Sequence, residues 1–294
     1  MASREDGWYI DGAGQPKGDT KMISQAIGCD VASGKGGHLF DGGSKVEVRN
    51  PAHLIEHLNT LSSRPEVLIA WDSPLTGPCE PDKPLSRPQD LTLRPIEKFF
   101  RSGRWAVPPG ISVQPYCGCS HWTLSIRALG LPRVGPYSTE HAQLPFRLVT
   151  KRDQLFDPDE RASVVEVHPA LAVWLWYQTS GRTPQSWHYK NIKPKLLENE
   201  TAEQYRMRAK RIRIGRVHAH WTEVCNCVDG ARELPIPSSD DELDSIVAWL
   251  LAEKWIAGMG VVLLGNQKSG CFLIPEVDDL LADYIDFEKA NKLK

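Results

Sequence analysis

Acidic residues end three of the most apolar, strand-like runs in this chain, and that recurrence constrains the fold more than any other feature. The runs are Ile23-Ser-Gln-Ala-Ile-Gly-Cys-Asp30, Val67-Leu-Ile-Ala-Trp-Asp72 and Ser163-Val-Val-Glu166-Val-His168. Short runs of this kind, rich in aliphatic and β-branched residues and bounded by turn formers, are expected to be buried strands. An ionised side chain is rarely buried unless it is paired or holds a cation. Carboxylates that recur at the ends of buried strands therefore point to a shared cation. A fourth acid, Asp244, lies on a segment with helical spacing that starts near Asp240.

With 294 residues, 41% of them hydrophobic, the chain has enough apolar material for one large domain or two small ones. We expect one domain over residues 22–294, preceded by a flexible lead-in at 1–21. The formal charge of −2 is no global signature of a nucleic-acid binder, so any such binding must come from a local basic patch. Residues 1–21 are polar and lack the apolar core of a signal peptide, and no run approaches membrane-spanning length. The expectation is a cytoplasmic protein with no membrane contact. Seven cysteines, an odd number without a disulfide-framework pattern, fit reduced thiols.

Along the chain, the first strand is followed by a Gly34-Lys-Gly-Gly37 turn, a short strand through Phe40, a Gly42-Gly43 turn and a strand at Val46 to Val48. Residues 51–61 place Leu54, Ile55, Leu58 and Leu61 at helical spacing behind Pro51, and the Val67 strand comes next. The order opens βββαβ. A proline-, glycine- and arginine-rich stretch at about 76–160, with short periodic pieces at Pro95 to Arg101 and Trp122 to Leu129, is expected to be an insertion. The Ser163 strand then leads into an aromatic helix, Ala170 to Tyr177, and a basic amphipathic stretch, Glu203 to Arg213. After the Asp240 helix come two strand-like runs, Val261 to Leu264 and Cys271 to Ile274, and an acidic C-terminal helix.

Five segments carry a family resemblance: Gly28-Cys-Asp30-Val-Ala, Trp71-Asp72-Ser-Pro-Leu75, His121-Trp-Thr-Leu-Ser-Ile-Arg127, Glu166-Val-His-Pro169 and Asp241-Glu-Leu-Asp244-Ser-Ile-Val. On these the chain resembles the ribonuclease H-like superfamily and, more narrowly, domain of unknown function family 429, whose members are predicted nucleases of that fold. The family's helix more usually reads Asp-Ala-Leu-Asp-Ala, so Glu242 and Ser245 are departures, and neither removes a carboxylate. The resemblance implies an α/β fold: a mixed five-stranded sheet flanked by helices, with the Asp30 and Asp72 strands adjacent and parallel. The insertion and the extra C-terminal strands would be additions to it.

Hard cations such as Mg²⁺ take oxygen ligands and are usually anchored by few carboxylates plus substrate phosphate. Two such ions about 3.5–4 Å apart can activate the attacking water and stabilise the leaving oxygen of a phosphodiester. Asp30, Asp72, Glu166 and Asp244 suit that task with Mg²⁺ or Mn²⁺ as cofactor and nucleic acid as substrate. Asp30 would bridge, because its strand face reads Ser24, Ala26, Gly28, Asp30 and leaves room for close approach. Asp72 and Glu166 would complete the first ion and Asp244 the second.

Each assignment has an ordinary counterpart. Ser239 and Glu242 match a capping box, and acids in a first turn favour the positive end of the helix dipole. That covers Asp240 to Glu242 but not Asp244. Asp241 shares a face with Asp244 and is a further candidate ligand. His168 follows Glu166 at period two, placing it either in proton transfer or in structural hydrogen bonding. Cys117, Cys119 and His121, with Cys225 and Cys227, offer zinc donors, but single-residue spacing is shorter than the usual knuckle and buried thiols are commonly small hydrophobes. In the basic run 206–216, Arg206, Lys210 and Arg213 line up beside an apolar stripe of Tyr205, Ala209 and Ile212, either to track a phosphate backbone or as a solvated face.

Two other classes remain. The Asp30-Val-Ala-Ser-Gly-Lys35 hairpin is similar to the first phosphate loop of actin-like ATPases and sugar kinases, which would make the chain a nucleotide-binding phosphotransferase or ATPase. Its second phosphate loop would have to be Asp72-Ser-Pro-Leu-Thr-Gly77, where Pro74 lacks an amide donor. A catalytically inactive binding protein on the same fold is the third.

Overall fold

Alternation of side chains along the first strand gives the sheet two buried faces, and everything else is layered on them. In the computed structural model, which describes residues 22–32, 36–75, 94–111, 146–156, 160–190, 192–266 and 270–292, strand β1 (Gln25–Ala32) sends Ile27, Cys29 and Val31 into one core and Ala26 into another. β2 (Gly36–Phe40) and β3 (Lys45–Val48) continue antiparallel from its edge. Helix α1 (Pro51–Leu61) starts at Asn50, whose side chain accepts the His53 N–H at 2.9 Å. It lays Leu54, Leu58 and Leu61 into the core of the Ile27 face. A helical crossover of this kind is what a parallel neighbour requires, and β4 (Val67–Asp72) does pair parallel with β1, as expected.

The sheet has six strands rather than five. Beyond β4 lie β5 (Arg147–Leu148) and β6 (Ser163–Glu166), and the spatial order is β3-β2-β1-β4-β6-β5, with β6 parallel to both of its neighbours. The additional strand is two residues long, too short to show a period. It is fixed from outside, by Arg147 N–H donating to the Ala162 carbonyl and Val149 N–H to the Val164 carbonyl, both at 2.8 Å.

After the short α2 (Pro95–Phe99), three helices build the second core: α3 (Pro169–Ser180), α4 (Ala202–Cys227) and α5 (Asp240–Ala257). α4 runs well past the Arg213 expected from sequence because its second half buries Val217, His220, Trp221 and Val224. Its first half stays out of the core, and the anticipated stripe of Tyr205, Ala209 and Ile212 is only half-buried. β7 (Val261–Asn266) and β8 (Gly270–Pro275) form an antiparallel hairpin that touches the main sheet through a bridge between Val167 and Leu273. α6 (Leu280–Lys292) closes the described chain. No described helix is long and apolar enough to cross a membrane. The lead-in at 1–21 and the Trp122 to Leu129 stretch lie outside the described residues.

One residue sets how closely α5 approaches the sheet. A Cβ at Gly28 would stand 2.0 Å from the Ser245 carbonyl oxygen and 2.4 Å from the Trp249 nitrogen, so backbone meets backbone there. The glycine thus brings the first turns of α5 over the C-terminal end of β1.

Candidate metal centre

Asp30 and Asp72 are register partners across the parallel β1 and β4, so both side chains leave the same sheet face where the two strands end. α5 covers that face. Its N-terminus is satisfied by Ser239, whose hydroxyl accepts the Glu242 N–H at 3.1 Å, and Glu242 in turn accepts the Ser238 N–H at 2.8 Å and pairs with Lys45 at 2.8 Å. Capping therefore accounts for Glu242. Asp240 faces Arg213 Nε at 3.7 Å, and the half-exposed Asp241 lies 3.9 Å from His38 Nε2. Asp244, beyond the first turn, has a side chain with 0% exposure.

Oxygens of Asp30, Asp72 and Asp244 all lie within 4.8 Å of one another, the one group of this kind among the described residues. Two neighbours answer their charge. Tyr189 donates its hydroxyl proton to Asp244 Oδ1 at 2.7 Å, and the Lys190 ammonium contacts Asp244 Oδ2. The Lys190 side chain is 42% exposed, with its ammonium set against the fully buried Asp244 carboxylate. Arg216 donates to the His188 carbonyl at 2.6 Å and so ties the loop carrying both residues to α4.

The electrostatics follow from crowding like charges in a dry place. Burial raises all three acids, with Lys190 opposing: Asp30 well above its ordinary value, Asp72 up to about 7, and Asp244 upward as well. Asp72 also shares a hydrogen bond with Asp30. Burial would lower the Lys190 ammonium, but Asp244, Tyr189, Asp30 and Asp72 outweigh it and hold it well above its usual value.

The structure does not bring Glu166 into this group. Its register partner is Trp71, not Asp72, so the pleat turns it to the opposite side. There Arg94 grips it with two hydrogen bonds, Nη1 to Oε2 at 3.0 Å and Nη2 to Oε1 at 2.6 Å, and Leu75 N–H adds a third at 2.7 Å. Arg94 also binds Glu97 through Nε at 2.6 Å. His168 is the N-cap of α3, its Nδ1 accepting the Leu171 N–H at 3.3 Å with its ring edge-on to Phe272.

On α4, Arg206 and Lys210 are exposed, while Arg213 is half-buried and turned to Asp240. Cys225 and Cys227 sit two apart on the same helix, about 200° around its axis, so they cannot grip one ion together. The Cys227 thiol instead lies within hydrogen-bond reach of two acceptors, the Trp176 carbonyl at 3.5 Å and Glu223 Oε1 at 3.4 Å. Cys117, Cys119 and His121 lie outside the described residues, as does the Ser33 to Lys35 turn. Lys190, Tyr189 and Arg94 were not anticipated. Each comes from an aperiodic polar or proline-rich stretch, where no spacing rule marks one residue above another.

The profile of the family described as protein of unknown function (DUF429) matches residues 28–269, a span that includes every residue of the centre. The chain belongs to this family. No curated protein and no solved structure matches it.

Proposed function

We propose that this DUF429 member is a divalent-metal-dependent phosphodiester hydrolase acting on nucleic acid, with Mg²⁺ or Mn²⁺ held by Asp30, Asp72 and Asp244. The observation that carries the reading is the convergence of three carboxylates from β1, β4 and α5 at one buried point. Their chemistry suits the group: all donors are hard oxygens, and their spread of 4.8 Å is near the roughly 4 Å that separates opposite ligands of an octahedral ion bound at about 2.0–2.1 Å. The strand order, with β1 central, antiparallel to β2 and parallel to β4, supports a ribonuclease H-like arrangement.

When bound, the ion would lower the pKa of a water and stabilise charge on the phosphate oxygens. The protein's part is preorganisation. Asp30 and Asp72 are fixed by sheet register, Asp244 by the glycine contact and by Tyr189, so the ligand oxygens need little reordering. Three acids suffice for one ion. A second would draw on substrate phosphate and on Asp241 at the rim, whose side chain is 49% exposed. Glu166, already saturated by Arg94 and Leu75, acts as the brace for the segment after β4.

The phosphotransferase alternative is disfavoured by that segment. Ser73 N–H is given to the Trp71 carbonyl at 2.9 Å, Leu75 N–H to Glu166, and Pro74 has none. Among the described residues of that loop, 73–75, no amide is therefore left to cradle a phosphate.

The deciding experiment pairs Mn²⁺ titration calorimetry with cleavage assays on single-stranded, duplex and hybrid substrates. Asp72→Asn is expected to abolish Mn²⁺-dependent cleavage and to shrink the Mn²⁺-induced rise in melting temperature. A variant that kept both would end the metal-hydrolase reading, and one that kept metal binding in a wild type inert on every substrate would favour a binding protein.

A further inference from the structure

Among the described residues, Lys190 is the cation that reaches the three-acid centre, and it does so from a loop rather than from the framework. Its ammonium contacts Asp244 Oδ2, and the charges of Asp30 and Asp72 act on it as well. The three acids come from two strands and a helix locked together at Gly28. Lys190 comes from the segment between α3 and α4, and its side chain is 42% exposed, so it can leave without disturbing the core. The neighbouring Tyr189 is 3% exposed and anchored between Asp244 and the His220 ring, and Arg216 holds the carbonyl of His188. The loop is therefore pinned at Tyr189 and at the residue before it, and the lysine side chain beyond them can swing.

We propose that Lys190 is a built-in counter-ion that competes with the divalent ion for the three carboxylates and sets the ion concentration at which the centre loads. The proposal rests on the metal-binding reading above. Tyr189 already occupies Asp244 Oδ1, so an ammonium on Oδ2 and a divalent ion bound through Oδ2 compete for the same oxygen. The seated lysine relieves the repulsion among the acids while no metal is bound, and its exit is the cost of loading. Apparent affinity falls by the fraction of molecules in which the lysine is out of the way, so a lysine seated about nine-tenths of the time weakens ion binding about tenfold. The freed side chain remains tethered at the rim, where Asp241 and Arg213 already mark the edge of the centre.

The test uses the full chain and Mn²⁺ alone. Lys190→Met keeps the length of the stem and removes the charge, and Lys190→Arg keeps the charge. Calorimetry is expected to give Mn²⁺ binding about tenfold tighter in Lys190→Met and close to wild type in Lys190→Arg. A measurement on the unaltered protein guards against a misfolded variant: an amine-reactive reagent followed by peptide mass spectrometry is expected to label Lys190 faster when Mn²⁺ is present, because the ammonium has been expelled. Equal or weaker Mn²⁺ binding by a folded Lys190→Met, or labelling that Mn²⁺ leaves unchanged or slows, overturns the proposal. If Mn²⁺ binds wild type, is lost in Asp72→Asn, and yet is indifferent to Lys190, the counter-ion idea alone fails. If Mn²⁺ binds none of these proteins, the metal centre fails with it.

Discussion

Two buried charge clusters sit a few residues apart in this fold, and they are built in opposite ways. Around Glu166, one guanidinium meets two carboxylates with a separate hydrogen bond for nearly every atom, and the backbone amides of Leu75 and Arg94 take up what remains. Burial alone would lower Arg94, yet Glu166 and Glu97 hold it above its ordinary range, so the charge is never in doubt. Around Asp30, Asp72 and Asp244, three acids share one flexible ammonium and one phenol. The first cluster is closed: it binds the segment after β4 to the start of α2. The second is under-neutralised, held by rigid elements and stoppered by a movable one. Local saturation separates a brace from a site better than the mere presence of buried acids.

The largest effect is expected from opening the closed cluster. Arg94→Met leaves Glu97 and Glu166 buried without their cation, and loss of one partner from a buried pair costs about 3–5 kcal/mol. Urea denaturation should show that drop. A loss no larger than that of a surface substitution would mean that the Arg94 cluster braces nothing.

A smaller effect on stability, but a sharper one on the site, is expected from Gly28→Ala. The new methyl meets backbone atoms of α5 that cannot swing aside, and overpacking of this kind costs about 1–3 kcal/mol. Because α5 carries Asp244, the same change should weaken Mn²⁺ binding. Calorimetry that found unchanged affinity would show that the close contact serves packing only.

The open cluster also predicts a pH signature in the metal-free protein. Asp72, raised from 3.8 to about 7, holds its proton more tightly folded than unfolded. Its contribution to stability is therefore full below about pH 4 and is lost as pH rises through about 7. Asp72→Asn should flatten that part of the curve, so that the variant equals or exceeds wild type near neutral pH. Denaturant midpoints measured in chelator across this window decide it, and parallel curves would remove Asp72 as the source of the strain.

The smallest effect is expected on the exposed first half of α4. Arg206→Gln with Lys210→Gln should lower the log–log salt slope of nucleic-acid binding by about 0.7–0.9 for each phosphate that these side chains neutralise in the wild type. Arg213 is left out because it faces Asp240. An unchanged slope would make the exposed half of α4 a solvated face.

Legible along the chain were the features that depend on local periodicity and backbone sterics. Apolar runs ending in Asp30 and Asp72 became strands, Ser239 capped the helix that carries Asp244, and the small face at Ala26 and Gly28 admitted that helix, whereas the parallel pairing of the two strands was implied only by the family resemblance. These are short-range signals: a strand period, a cap spacing, a missing Cβ. The fate of Glu166 and the arrival of Lys190 depended instead on long-range packing. Glu166 ends an apolar strand just as Asp72 does, yet the register with β4 pairs it with Trp71 and sends it to the other face, into the grip of a guanidinium 72 residues away in sequence. Register between strands distant in the chain is set by the packing of whole faces, and a shift of one residue reverses every side chain on the strand. The lysine that neutralises the remaining acids lies 54 residues before Asp244 in an aperiodic loop. Long-range pairing of charges leaves no period in the chain that carries them, because Coulomb attraction depends on distance in space and not on spacing in sequence.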